Sequence, residues 1–196
     1  MRVATDHRDV IIQTAARLFA RKKFHEVLMD DVADKAGIAK GTIYRYFPNK
    51  NELFAALSVQ WLQYIGSELE KIAASKTPPI ERLRRMLQRC CELVQENDDY
   101  FQVMMRHECE LWANRKCEFT QRRGVLRDHF AGVIKEAHER KELYCPFDPR
   151  HAADMLMGMM RSLLRFSQPR PSPSELADMV LHVFVNGLST RNGVKS

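Results

Sequence analysis

The stretch GIAKGTIYRYFPNK, from Gly37 to Lys50, decides how the rest of the chain is read. It opens on a glycine suited to end one helix, offers about two turns of another, and stops at Pro48. A helix that short does not persist alone in water. One of its faces must be held, and the other must be put to use. At about 100° per residue, Ile43 and Phe47 fall on one side with Tyr46 beside them. Gly41, Tyr44 and Arg45 fall on the other, with Lys40 and Thr42 on its shoulders.

The first side is apolar and predicts burial. The second has the chemistry of a base reader. Arg45 suits paired hydrogen bonds to the major-groove edge of guanine. Lys40 is a flexible point charge for phosphate or guanine. Thr42 and Tyr44 suit phosphate oxygens, and Gly41 lets the backbone come close. Tyr46 is divided, its ring directed to the core and only its hydroxyl within reach of phosphate. A helix, an A-G-I turn and a short second helix predict a helix-turn-helix, whose second helix enters the major groove. Lys50, at the start of the next helix, is expected to hold a phosphate from the side. Cations on a helix face are ordinarily just solvated. Here the turn, the glycines and the one-sided aromatic packing favour DNA.

Outward from this stretch the apolar spacing is helical nearly throughout, and no segment alternates like a strand. A first helix is predicted from about Arg8 to Lys22 and a second from about Asp30 to Ala36, with Gly37 at its C-terminus. The third covers about Lys40 to Phe47. Asn49, with Glu52 three residues on, predicts a capped fourth helix reaching about Ala74. KTPP then breaks the chain, and Pro79 starts a fifth. Asn97 to Asp99 cap a sixth carrying Phe101, Met104, Met105 and Trp112. A seventh covers about Thr120 to Arg140. Asp148 and Pro149 start the eighth, and Ser172, Pro173 and Glu175 start the ninth. The expectation is an all-α protein of about nine helices, with an N-terminal three-helix DNA-binding domain over residues 1–50 and a helical domain over 51–196.

The chain has 196 residues, 45% hydrophobic and 29% charged, with a net charge of +6. That is ordinary globular usage leaning towards an anionic partner. No apolar run approaches the roughly 20 residues that span a bilayer, and MRVATDHRDV has no secretory apolar segment. The expected setting is cytoplasmic, without membrane contact. Five cysteines, an odd number, form no disulfide framework. Buried reduced thiols are expected, and neither metal nor cofactor. There is no G-x-S-x-G, phosphate loop or H-E-x-x-H, so no enzyme is expected.

The run MDDVADKAGIAKGTIYRYFPNKNELF, from Met29 to Phe54, resembles the DNA-binding domain of the TetR family of bacterial transcriptional regulators. Its A-G-x-x-x-G-T-x-Y-x-Y-F-x-x-K pattern is long and specific. The resemblance implies a homodimer in which the eighth and ninth helices pair with their mates. It also implies a small-molecule pocket in the second domain, whose occupation moves the fourth helix and releases a palindromic operator. Carried over by position, the DNA contacts fall on Lys40, Gly41, Thr42, Tyr44, Arg45, Tyr46 and Lys50. Three positions depart from the family. Leu28 and Ala39 stand where hydroxyl caps are usual, and Lys23 replaces a glycine.

On this reading the protein is a repressor, released from DNA by a small apolar or aromatic effector. The pocket is expected among Trp61, Tyr64, Cys90, Phe101, Met104, Met105, Trp112, Met155 and Met159, since methionine repacks easily around apolar ligands. The dimer interface is expected at Met160, Leu164, Val180, Val183, Phe184 and Gly187. The competing reading is a helical protein-interaction module without ligand-controlled DNA binding.

Overall fold

The computed structural model describes residues 7–19, 21–98, 101, 104 and 118–186. Among these there are eight α-helices and one 3-10 turn, and no strand. The helices are α1 (His7–Phe19), α2 (Met29–Ala36), α3 (Lys40–Tyr46), α4 (Lys50–Ala73), α5 (Pro79–Glu96), α6 (Glu118–Glu139), α7 (Pro149–Phe166) and α8 (Pro173–Asn186), with the 3-10 turn at Phe24–Glu26. Most of the predicted sixth helix lies outside the described residues. The chain divides into two compact units. One holds residues 1–64 and 96–122, the other 65–95 and 123–196. The expected division at residue 50 falls at the start of α4, whereas this one runs through the helix. The reason is visible in α4 itself: Leu53, Phe54 and Leu57, in its first turns, are buried.

In the first unit, α1 buries Ile11, Ile12, Ala15, Leu18 and Phe19 along one stripe. The chain then turns so that Phe24 stacks on Phe19 at 5.5 Å, and both rings meet Phe54 edge-on at 5.3 Å. Such aromatic contacts contribute about 0.5–1.5 kcal/mol each beyond area burial. They tie α1, the turn and α4 together. Helix α2 ends in a Schellman motif: Gly37 has φ 67°, its N–H donates to the Asp34 carbonyl, and the Ile38 N–H donates to that of Ala33. A Cβ at Gly37 would meet nothing within 4 Å. The glycine is therefore required by the left-handed backbone and not by crowding.

The second unit is built from the later part of α4 with α5, α6, α7 and α8. Its buried side chains include Leu83, Met86 and Leu87 of α5, Phe130 and Ile134 of α6, and Leu156 and Leu164 of α7. Local signals place the helix starts. The Asp148 carboxylate accepts from the Arg150 N–H at 2.8 Å. Ser172 and Glu175 form a reciprocal capping box, at 2.9 and 3.3 Å. Two arginines of α5 join the helices. Arg84 makes a two-pronged contact to Asp178, at 2.6 and 3.1 Å. Arg82 is buried, donates to the Ala73 carbonyl at 2.7 Å and pairs with Glu136 at 2.5 Å.

Candidate nucleic-acid interface

Helix α3 has two unlike faces. Ile43 is fully buried and Phe47 nearly so, at 0% and 4% exposure, while Tyr44 is 47% exposed. Gly41, Lys40 and Arg45 are exposed as well, and Thr42 and Tyr46 are half-buried. A fully buried isoleucine contributes roughly 1.5–3 kcal/mol, which is why seven residues hold as a helix here. A Cβ at Gly41 would meet nothing within 4 Å. The fold does not need a glycine at that position; close approach from outside would.

The charges on this face are not all available. The Lys40 ammonium is 2.6 Å from the Asp30 carboxylate in the first turn of α2, with both side chains substantially exposed. That hydrogen bond, with the Coulomb attraction behind it, raises the Lys40 pKa. The Arg45 guanidinium lies 5.5 Å over the Tyr46 ring. Lys50 has partners that the sequence reading did not name. Its ammonium donates to the carbonyls of Phe24 at 2.8 Å and Val27 at 3.1 Å, and it lies 3.5 Å from that of His25. It also sits 4.5 Å over the Phe24 ring. Burial lowers its pKa. An ammonium has three protons, and here they are directed at the carbonyls of the turn that follows α1.

Two absences expected from sequence are present. Leu28 and Ala39, the N-caps of α2 and α3, make no side-chain cap. Leu28 is 57% exposed and lines one cleft with Val27, Met29, Asp30, Tyr44 and Lys50. The sequence reading missed Asp30 as part of this surface. Ten residues separate it from Lys40, and no local pattern joins them.

The comparisons with known proteins agree with this geometry. Residues 11–57 match the family model of the bacterial regulatory proteins, tetR family. Residues 76–188, more than half of the chain, match the tetracyclin repressor-like C-terminal domain. The chain belongs to the TetR family of bacterial transcriptional regulators. It is 24% identical over 191 residues to YuxN, a helix-turn-helix-type transcriptional regulator of Bacillus subtilis. The match covers 93% of this chain and 64% of YuxN, just under two thirds of that protein's length. Two solved structures share the fold. FadR of Bacillus subtilis, in complex with stearoyl-CoA, has a TM-score of 0.76 at 21% identity, over 92% of this chain and 99% of that one. FadR of Thermus thermophilus, in complex with lauroyl-CoA, has a TM-score of 0.70 at 20% identity, over 96% and 98%.

In this TetR-family chain the residues expected to line a pocket divide between the two units. Trp61, Tyr64, Phe101 and Met104 belong to one, and Cys90, Met155 and Met159 to the other. Phe101, Met104 and Cys90 are buried, whereas Tyr64 and Met155 are about half exposed. Met105 and Trp112 lie outside the described residues. The expected dimer residues differ in exposure. Met160, Leu164 and Val180 are 9%, 1% and 2% exposed in a single chain. They are already covered, and helices α7 and α8 pack on each other. Val183 and Phe184 remain half-exposed, and Gly187 lies outside the described residues.

Cys90, Cys91 and Cys145 are free thiols, all buried. Burial pushes the Cys90 thiol far up and that of Cys91 to about 12, so neither is a reactive thiolate. Among the described residues no three His, Cys, Asp or Glu side chains are grouped to hold a metal. No helix among them is long and apolar enough to cross a membrane.

Proposed function

We propose that this chain is a cytoplasmic, homodimeric repressor that leaves a palindromic operator when an effector with an apolar chain binds. The observation that carries the reading is the division of α3, with Ile43 sealed inside and Gly41, Tyr44 and Arg45 open to solvent. Arg45 is the base reader and Lys40, Thr42 and Tyr44 bind phosphate or base edges, with the Tyr46 hydroxyl in support. The dimer forms through an apolar stripe on α7, Met155, Met159, Leu163 and Phe166, spaced i, i+4, i+8, i+11. Met179 and Val183 of α8 extend it. Met155, Phe166 and Met179 are 50%, 70% and 48% exposed in one chain, a large apolar area for water to cover.

The effector class is a long-chain acyl-CoA, the kind of ligand held by the two FadR structures. An effector that weakens operator binding about 100-fold must favour the released state by roughly 2.7 kcal/mol. The test has three parts. Duplexes are selected from the source genome with the wild-type protein, and binding is then titrated against salt and against stearoyl-CoA. A regulator selects a palindromic duplex, shows log K falling steeply with log salt, and releases the duplex as acyl-CoA is added. Binding that ignores both salt and sequence refutes the DNA reading. Retention at saturating acyl-CoA refutes the effector class alone.

A further inference from the structure

We infer that Leu28 is a specificity-determining residue: with the Tyr44 ring it opens an apolar cleft on the DNA face that receives the C5-methyl group of a thymine. The inference rests on the DNA-binding reading above. The backbone is extended at Val27 and at Leu28, so successive side chains there point to opposite sides. Val27 is 1% exposed and Met29 8%, whereas Leu28 between them is 57% exposed. The fold seals the two neighbours inside and turns Leu28 outward. Its side chain makes no cap for α2, the service that a short polar residue performs at that position.

Beside it stands the open face of α3. Leu28 and Tyr44 line one cleft of about 320 Å³ with Val27, Met29, Asp30 and Lys50. The Asp30 carboxylate is taken up by Lys40, so leucine methyls and a tyrosine ring are what the cleft chiefly offers a visitor. One exposed leucine is ordinary. A leucine and a tyrosine ring that open on one cleft, continuous with the face that carries Gly41 and Arg45, form a patch that needs an occupant. The major-groove edge of a duplex displays one apolar group, the thymine methyl; every other group there donates or accepts hydrogen bonds. Phosphate gains nothing from leucine. A deoxyribose could rest against it, but without any choice of sequence.

The experiment removes that methyl and nothing else. A duplex is selected with the full wild-type chain from a random-sequence pool. Each thymine is then replaced by deoxyuridine at matching positions in both half-sites, which keeps every hydrogen-bonding group. Affinities are measured for wild type, Leu28→Ala and Leu28→Ser, the serine keeping α2 capped should the alanine variant fail to fold. Losing one buried methyl costs about fourfold per half-site, so replacing both copies of the thymine that Leu28 reads should weaken the wild type about fifteenfold. The same replacement should change the affinity of either variant by less than about twofold. On the unaltered duplex, both variants should bind about as weakly as the wild type binds the uracil version.

Three results overturn the inference. The wild type could bind every uracil duplex as well as its thymine parent. A methyl effect could be equal in wild type and variants, which assigns it to another side chain. The variants could weaken selected and scrambled duplexes alike, the mark of a sugar contact. Any of these, on a duplex the wild type does select, leaves the regulator reading standing and removes only the role of Leu28. A wild type that selects no duplex ends both.

Discussion

Replacing Arg82 by methionine removes the charged clasp from the second unit while keeping most of the side chain's apolar stem. The guanidinium is buried. It makes two charge-assisted contacts, to the Ala73 carbonyl at 2.7 Å and to Glu136 at 2.5 Å. Ala73 is the last residue of α4, so its carbonyl has no partner within the helix and faces outward along a negative dipole end. Each such bond contributes about 1.5–3 kcal/mol net. Two features reduce the sum. The Arg82 Nε is buried without a partner, a cost of about 1–3 kcal/mol. Glu136 is 32% exposed and keeps Arg140, at 2.8 Å, when Arg82 is gone. The expected loss for Arg82→Met is therefore about 2 kcal/mol. At about 2–4 °C per kcal/mol for a chain of this size, the melting temperature falls by about 4–8 °C. Helical circular dichroism across a thermal ramp measures it. A double-mutant cycle with Glu136→Gln should show coupling of about 0.5–3 kcal/mol. A melting temperature within about 1 °C of wild type, or strictly additive effects, refutes the assignment of a clasp.

The same contact gives a pH dependence. The hydrogen bond from Arg82 holds the Glu136 carboxyl below its ordinary value of 4.5. Its contribution to stability is thus complete above that value and is lost as pH falls through the lower folded value. Urea midpoints from neutral to acid pH should fall less steeply in Arg82→Met than in wild type, and parallel curves would contradict this. On the DNA face, Arg45→Ala should cost about 1–3 kcal/mol on the selected operator and relax base choice at one position per half-site; a uniform loss on all sequences would make Arg45 a phosphate contact instead. Asp30→Asn releases Lys40 from its ion pair. It should tighten binding to every duplex, because Lys40 no longer has to leave a carboxylate to meet DNA, and an unchanged affinity would mean that the ion pair does not compete with DNA. Leu28→Thr supplies the missing side-chain cap of α2 and should stabilise the protein by about 0.5–2 kcal/mol, seen as a higher urea midpoint. A lower midpoint would show that the leucine already makes a contact worth more than the cap.

Sequence alone settled what is local. The split of α3 into a sealed side and an open side follows from seven residues and the helical period. The Schellman turn at Gly37, the Asn49 cap, the Asp148 cap and the Ser172–Glu175 box all lie within a few residues of the groups they satisfy, so residue type and spacing suffice to read them. Tertiary structure decided what covers each face. Periodicity marks Leu164 and Val180 as apolar in the same way as Phe166 and Met179, yet the first two are spent inside the chain and the last two are left open. Nothing around Lys50 in the sequence announces the carbonyls of a turn 23 to 26 residues earlier that are brought against it. Lys40 looks unpaired until Asp30 is beside it. A helical repeat states which side chains share a direction. Which group stands opposite them is set by long-range packing, and that decides whether a cation is offered to DNA or used within the fold.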